Sequence, residues 1–239
     1  MDDEGYTTTL EGRRARFSSE TEQFLEVVVF LFLIVPSMIL SYFAPEEGET
    51  GFLITASAII ARDLALMCLV LFFLWRNAEP LSFIGWKREH WVREALIGIA
   101  LFPLFFITLG LVAYLLQGIG FSIPTAGDGK FVADASLTHM ATALLLVVVV
   151  AVVEETIFRC YLILRFLHIT KSSTWAVLVS AVIFALGHGY EGSAGVGTVG
   201  IMGVVFGVVY LRRRNIIAPV VIHFLQDVLG IIVAPMLSG

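Results

Sequence analysis

The stretch Thr138–Leu167, THMATALLLVVVVAVVEETIFRCYLILRFL, decides how the rest of the chain is read. An unbroken apolar run, Ala143–Val153, leads into two carboxylates, Glu154 and Glu155. Beyond them Ile157, Phe158, Tyr161, Leu162 and Ile163 continue the apolar pattern, so the glutamates are not a solvated helix end. A helix of about 20 residues crosses a bilayer's hydrocarbon core, and this run is longer than a crossing requires. An ionisable group at that depth costs about 2.5–3.5 kcal/mol on insertion scales, which makes it a functional candidate by default. Each helical residue advances about 100°. Glu155 and Arg159, four apart, therefore share a face and can neutralise each other. Glu154 is offset from that face and has no partner on its own helix. A lone carboxylate in a poorly hydrated site suits a general base.

The remainder of the chain extends this reading. Of its 239 residues, 58% are apolar and 15% charged, and the mean hydropathy is +0.91. A soluble domain is about 45–50% apolar and about 25% charged. Such a chain cannot cover a surface in water, which excludes an ordinary soluble enzyme and a disordered protein. The net charge of −5 removes the basic footprint that nucleic-acid binding needs. The two cysteines, Cys68 and Cys160, lie in apolar runs and form no disulfide framework or metal-binding spacing.

Seven long apolar stretches are expected as helices: Phe24–Phe43, Phe52–Trp75, Ala95–Leu116, Thr138–Leu167, Ser173–His188, Val196–Leu211 and Ile216–Ala234. The predicted fold is all-α, a polytopic transmembrane bundle of about seven spans with a polar cavity among the later helices. Three segments follow: 1–23, a polar N-terminal segment without a signal peptide's order; 24–137, three spans and their loops; and 138–239, the chemical core. Lys and Arg alternate across the connections, thirteen on one side against one, Lys130, on the other, with Arg62 inside the second span. That count includes Arg159 and Arg165 beside Lys171 in the fourth connection. The positive-inside rule then predicts a cytoplasmic N-terminus. Trp75, Trp86, Trp91 and Trp175 fall near predicted helix ends, as aromatic belt residues do. Gly203 and Gly207 have the spacing of a close helix contact. Arg62 and Asp63, adjacent in the second span, are expected to pair with other helices or mark a break.

Ionisable residues recur in the second half. His188 ends the run Ala181–Gly187, with Phe184 one turn earlier. His223 and Asp227 lie one turn apart on one face of the last span. One free Glu and two His on three helices form a constellation that none of them makes alone.

These residues carry a resemblance. Glu154-Glu155-Thr-Ile-Phe-Arg159 resembles the EExxxR motif of the CAAX protease and bacteriocin-processing family of intramembrane proteases. Phe184–His188 matches its FxxxH motif, and His223–Asp227 its HxxxN/D motif, all in order, with the resemblance spanning about 138–234. It implies peptide-bond hydrolysis within a helical membrane fold. Eukaryotic members remove the last three residues of prenylated proteins; prokaryotic relatives process peptides or act in bacteriocin immunity. By resemblance Glu154 is the base, His188 helps hold the water, and His223 with residue 227 forms the oxyanion site. Glu155, Arg159 and Phe184 support them. Position 227 departs from the commonest pattern, being Asp where prenyl-protein proteases carry Asn, and an ionised Asp cannot donate to an oxyanion.

The expected protein is thus an intramembrane endopeptidase in a prokaryotic cell membrane. Its expected partners are a lipidated or membrane-embedded peptide substrate and membrane lipid, with no nucleic acid. No cofactor is expected. Zinc on Glu154, His188 and His223, a His₂Glu set, is the first alternative. A transporter or proton relay and a non-catalytic immunity protein are the others; against a transporter, the first half holds no copy of the three motifs.

Overall fold

The computed structural model describes residues 20–41, 51–122 and 136–238. All secondary structure among them is helical. In chain order the long helices are α1 (Glu20–Ser41), α2 (Phe52–Arg76), α3 (Trp91–Gly118), α4 (Leu137–Thr170), α5 (Ser173–Leu186), α6 (Gly192–Arg213) and α7 (Ile217–Leu237). Six are long and apolar enough to cross a membrane; α5, with 14 residues, is the shorter seventh.

The side chains are distributed inside out relative to a soluble protein. Phe32, Leu104, Ile107 and Leu137 are among many large apolar groups turned outward, while Glu26, Glu155, Arg159, Arg165 and His223 are buried. Contiguous outward apolar surface of this kind marks contact with lipid. On α1 the inward face is Gln23, Glu26, Val27, Phe30 and Ile34, a helical stripe that mixes polar and apolar groups. This chain is an integral membrane protein.

Neighbour relations follow the small residues. α6 packs along α5, where a Cβ on Gly203 would lie 3.0 Å from the Ala181 backbone and one on Gly207 would lie 2.9 Å from Val177. The close contact expected from the glycine spacing is present. α3 lies against α7, α2 against the first half of α4, and the end of α4 against α1 and α5. Ser136 and Ser172 cap α4 and α5 by accepting the backbone N–H of His139 and Trp175.

Two departures from regular α-helix matter. α4 runs as α-helix to Glu154 and then as π-helix over Glu155–Leu162, all eight residues buried. Thr156 bonds the Val152 carbonyl at 2.7 Å, and Ser180 of α5 donates to the Phe158 carbonyl at 2.7 Å, so side chains satisfy backbone groups along the altered turn. α7 makes the same change over Val228–Val233, directly after Asp227. Such turns occur frequently at functional sites.

Some expectations change. Trp75, Trp91 and Trp175 are exposed near helix ends. Trp86 instead turns inward and donates its indole N–H to Thr156 at 3.2 Å. Arg159 and Arg165 are not loop cations: both are buried, which leaves Lys171 as the cation of that connection. α2 runs unbroken through Arg62 and Asp63, which pair with each other. Arg13, Arg14, Arg16, Lys130 and most of the expected 1–23 segment lie outside the described residues.

Candidate active site

The polar centre is built where the two π-turns begin. The His223 ring on α7 is its pivot. Its Nδ1 lies 2.9 Å from Glu155 Oε1, and its Nε2 lies 3.9 Å from Glu154 Oε2 and 3.6 Å from Asp227 Oδ2. Adjacent glutamates on one helix thus address opposite edges of one imidazole. With Glu155 accepting from Nδ1, the working edge is Nε2, and it faces the two carboxyls. The ring is held sideways by Phe206 at 5.5 Å and by the edge of Phe184 at 6.2 Å, so it cannot swing away.

Arg159 anchors the far side of Glu155. Its Nε lies 3.1 Å from Glu155 Oε2, and both side chains are buried. The guanidinium sits over Phe184 at 4.2 Å and Phe206 at 5.0 Å, with Phe158 nearby. Cation–π contact strengthens when both partners are desolvated. The pair expected from the four-residue spacing is therefore present, and it also orients His223 through Glu155, a link the spacing does not show. Phe184 likewise proves to be a shared wall for Arg159, His188 and His223.

His188 follows the end of α5. At about 1.5 Å per residue, the 14 residues of α5 extend about 21 Å, short of a roughly 30 Å hydrocarbon core. His188 therefore need not sit at a membrane face, and the overlength of α4 allows Glu154 to share its depth. His188 lies within electrostatic range of Asp227. Its Nδ1 is 3.0 Å from the Phe184 carbonyl oxygen. A carbonyl only accepts, so Nδ1 carries the hydrogen, and in the neutral ring Nε2 is then an acceptor.

The orphan atoms gather here. Among the described residues Glu154 Oε2, Asp227 Oδ2 and Asp63 Oδ2 are buried without a hydrogen-bond partner. In native proteins the great majority of such atoms are paired, so this group calls for an explanation. Glu154 and Asp227 retain 13% and 17% of their side-chain exposure through their other atoms, so the orphan oxygens lie just behind the open edge of the site. Tyr190 and Glu191, on the short turn Gly189–Glu191, border it within electrostatic range of Glu154. The motif reading did not include them, nor Arg62 and Asp63 of α2. Glu154, Glu155, Arg159, Phe184, His188, His223 and Asp227 all meet in this one place.

A zinc ion on Glu154, His188 and His223 needs three donors converging on one point. Among the described residues no three His, Cys, Asp or Glu side chains are grouped that way. The donors do not fit an ion as they stand.

The fold and the site define a polytopic helical membrane protein with a carboxylate–histidine centre between its later helices. Residues 135–229, which contain every motif residue, match the family described as Rce1-like, type II CAAX prenyl endopeptidase. The description of that match agrees with the resemblance carried by the three motifs. Comparison with curated proteins and with solved structures yields no match.

Proposed function

We propose that this protein hydrolyses a peptide bond of a membrane-associated substrate, with water activated by Glu154. The observation that supports it best is the division of labour around His223: Glu155 on Nδ1, and Glu154 with Asp227 on Nε2. Glu154 takes a proton from a water that the free Nε2 of His188 accepts and orients. The resulting hydroxide attacks the scissile carbonyl carbon, and the carbonyl oxygen becomes the oxyanion. His223, as imidazolium, donates Nε2–H to that oxyanion while Nδ1–H stays with Glu155. Preorganised donors aimed at developing charge supply the largest share of such catalysis. Asp227, protonated, is the second donor, filling the place of the commoner Asn. Glu154 then passes its proton to the leaving amine as the tetrahedral intermediate collapses.

The substrate reads as a lipidated or membrane-embedded peptide, since the walls of the site are apolar and its helices face lipid. CaaX-type processing is the activity that the family match favours. The membrane is that of a prokaryotic cell, with the N-terminus cytoplasmic.

The test is cleavage of a fluorogenic prenylated peptide by the purified protein in liposomes, with metal content measured in the same preparation. Glu154→Gln is expected to abolish turnover while the protein remains folded. Near wild-type turnover in that variant overturns the mechanism. One zinc per chain, with activity lost on its removal and restored on its return, would replace it with a metal-dependent one.

A further inference from the structure

A hydroxyl outside the three motifs grips the turn that carries Arg159. The run 176–186 of α5 is apolar except for Ser180. Ser180 lies one helical turn before Phe184, so the two share a face. That face meets α4 at one residue. The Phe184 ring packs edge-on against Phe158 at 5.0 Å, and Ser180, 2% exposed, donates to the Phe158 carbonyl at 2.7 Å.

The direction of this bond sets Ser180 apart. Thr108, Thr156 and Thr198 donate to the carbonyl four residues back in their own helices, the usual habit of a helical hydroxyl. Ser180 instead crosses to a neighbouring helix. The carbonyl it reaches already accepts the Ile163 N–H, a five-residue bond of the widened turn. The second bond takes the remaining lone pair and fixes the direction of the carbonyl.

The Phe158 carbonyl and the Arg159 N–H belong to one peptide plane, so fixing the carbonyl fixes how Arg159 leaves the backbone. Arg159 needs that guidance. Among the described residues none of its three guanidinium nitrogens makes an aligned hydrogen bond. Its Nε nevertheless lies 3.1 Å from Glu155 Oε2, and its guanidinium sits over Phe184 and Phe206. Contacts of this kind attract without setting a direction, which leaves direction to the backbone. A chain of contacts therefore runs from Ser180 through the Phe158 peptide, Arg159 and Glu155 to His223 Nδ1 at 2.9 Å.

We propose that Ser180 is a positioning residue for His223: it locks the peptide that places Arg159 and Glu155, and so aims the imidazole at the oxyanion. This rests on the hydrolytic mechanism proposed above and extends the site one turn down α5. A bond that served only to join α4 to α5 would contribute little, as hydrogen bonds between membrane helices do, and its loss would leave turnover intact.

The experiment measures kcat and KM on a prenylated peptide in liposomes. The variants are Ser180→Ala, Ser180→Thr, Ser180→Cys, Arg159→Lys, Ser180→Ala with Arg159→Lys, and Glu154→Gln. Ser180→Ala is expected to lower kcat between about 10- and 100-fold, the upper figure being the cost of a misplacement of about 1 Å near the chemistry. KM should stay within about twofold, because Ser180 touches no substrate. Ser180→Thr keeps the hydroxyl and should recover most of the rate. Ser180→Cys, with a weak S–H donor, should fall between. The double variant should stay within about threefold of Arg159→Lys alone, since both changes cut one chain of contacts. Losses that multiply instead overturn the inference, by making Ser180 act independently of Arg159. Wild-type kcat in Ser180→Ala beside an inactive Glu154→Gln overturns this inference alone, and so does a raised KM at unchanged kcat. If Ser180→Ala does not assemble, Ser180→Cys carries the test, and wild-type kcat there overturns the inference. Cleavage by Glu154→Gln overturns the underlying mechanism, and this inference with it.

Discussion

Two buried polar clusters occupy this membrane bundle, and they are built on opposite principles. The first joins α1, α2, α4 and the connection after α2. Glu26 accepts from Arg76 at 2.7 Å, from Asn77 at 2.9 and 3.2 Å, and from Tyr161 at 3.4 Å. Arg165 grips Glu79 with two bonds, 2.9 and 2.6 Å, and lies 3.7 Å from Glu26. The Arg165 Nε atom is its single orphan among the described residues. The second cluster, around His223, leaves orphan oxygens on Glu154, Glu155, Asp227 and Asp63 and all three guanidinium nitrogens of Arg159 without an aligned hydrogen bond. Depth in the membrane makes a charged residue a candidate for function, but pairing separates the candidates. A closed network holds helices together, whereas a partly open one keeps capacity for a substrate.

The comparison breaks most sharply on Glu154→Gln. With Oε2 unpartnered, its loss should leave the thermal unfolding midpoint within a few degrees of wild type while turnover drops about 10²–10⁴-fold. A parallel fall in stability would show that Glu154 belongs to the structural kind. The opposite result is expected for the double change Glu26→Gln with Glu79→Gln. It strands buried Arg165 without a carboxylate, which typically costs about 3–5 kcal/mol. The unfolding midpoint should fall steeply, while whatever folds should retain its kcat.

Glu155→Gln sharpens the contrast, since this residue belongs to both kinds. It carries the Arg159 ion pair and the His223 bond, so stability and turnover should fall together. Asp227→Asn separates two roles within the open cluster. As an oxyanion donor, Asp227 is replaced by a permanent N–H donor of similar shape, and the rate near neutral pH should be kept or raised. A large drop at every pH would show instead that its charge is needed to hold His223. The smallest effect is expected for Trp86→Phe, which removes one hydrogen bond to Thr156, worth about 1 kcal/mol. A slight loss of stability with near-normal turnover is the outcome that places Trp86 among the structural contacts.

Much of this was legible in the residues alone, and the boundary has physical causes. Apolar length and the three ordered motifs pointed to the helices, and local spacing predicted the Glu155–Arg159 and His223–Asp227 pairs, because helical geometry sets what is four residues away. Contacts between distant segments left no such trace. Nothing in Glu155 announces His223, 68 positions later, and nothing in Arg165 announces Glu79. Arg165 looked like a loop cation because charge counting treats a helix end as solvated. The π-turns were invisible because a widened turn depends on what packs beside it, here Ser180 and Thr156. Asp63 and Arg62 were expected to pair with other helices or mark a break, because adjacent helical residues point about 100° apart; the long guanidinium reaches round to its neighbour instead, which spacing alone does not show.

The widened turn in α4 has a consequence for how the gene can vary. Between the glutamates and Arg165 the helix is wound with one more residue per hydrogen-bonded ring than its flanks. Deleting a single codon within 156–162 would let regular winding resume. A widened turn holds one residue more than the regular turn it replaces, so Arg165 would keep its direction relative to Glu154 and its grip on Glu79. A one-codon insertion has no such slack and would turn every later side chain of α4 by about 100°. Judged by assembly of the bundle, this segment should therefore tolerate the loss of a codon better than the regular helix on either side of it, and a one-codon deletion scan across α4 should show a peak there.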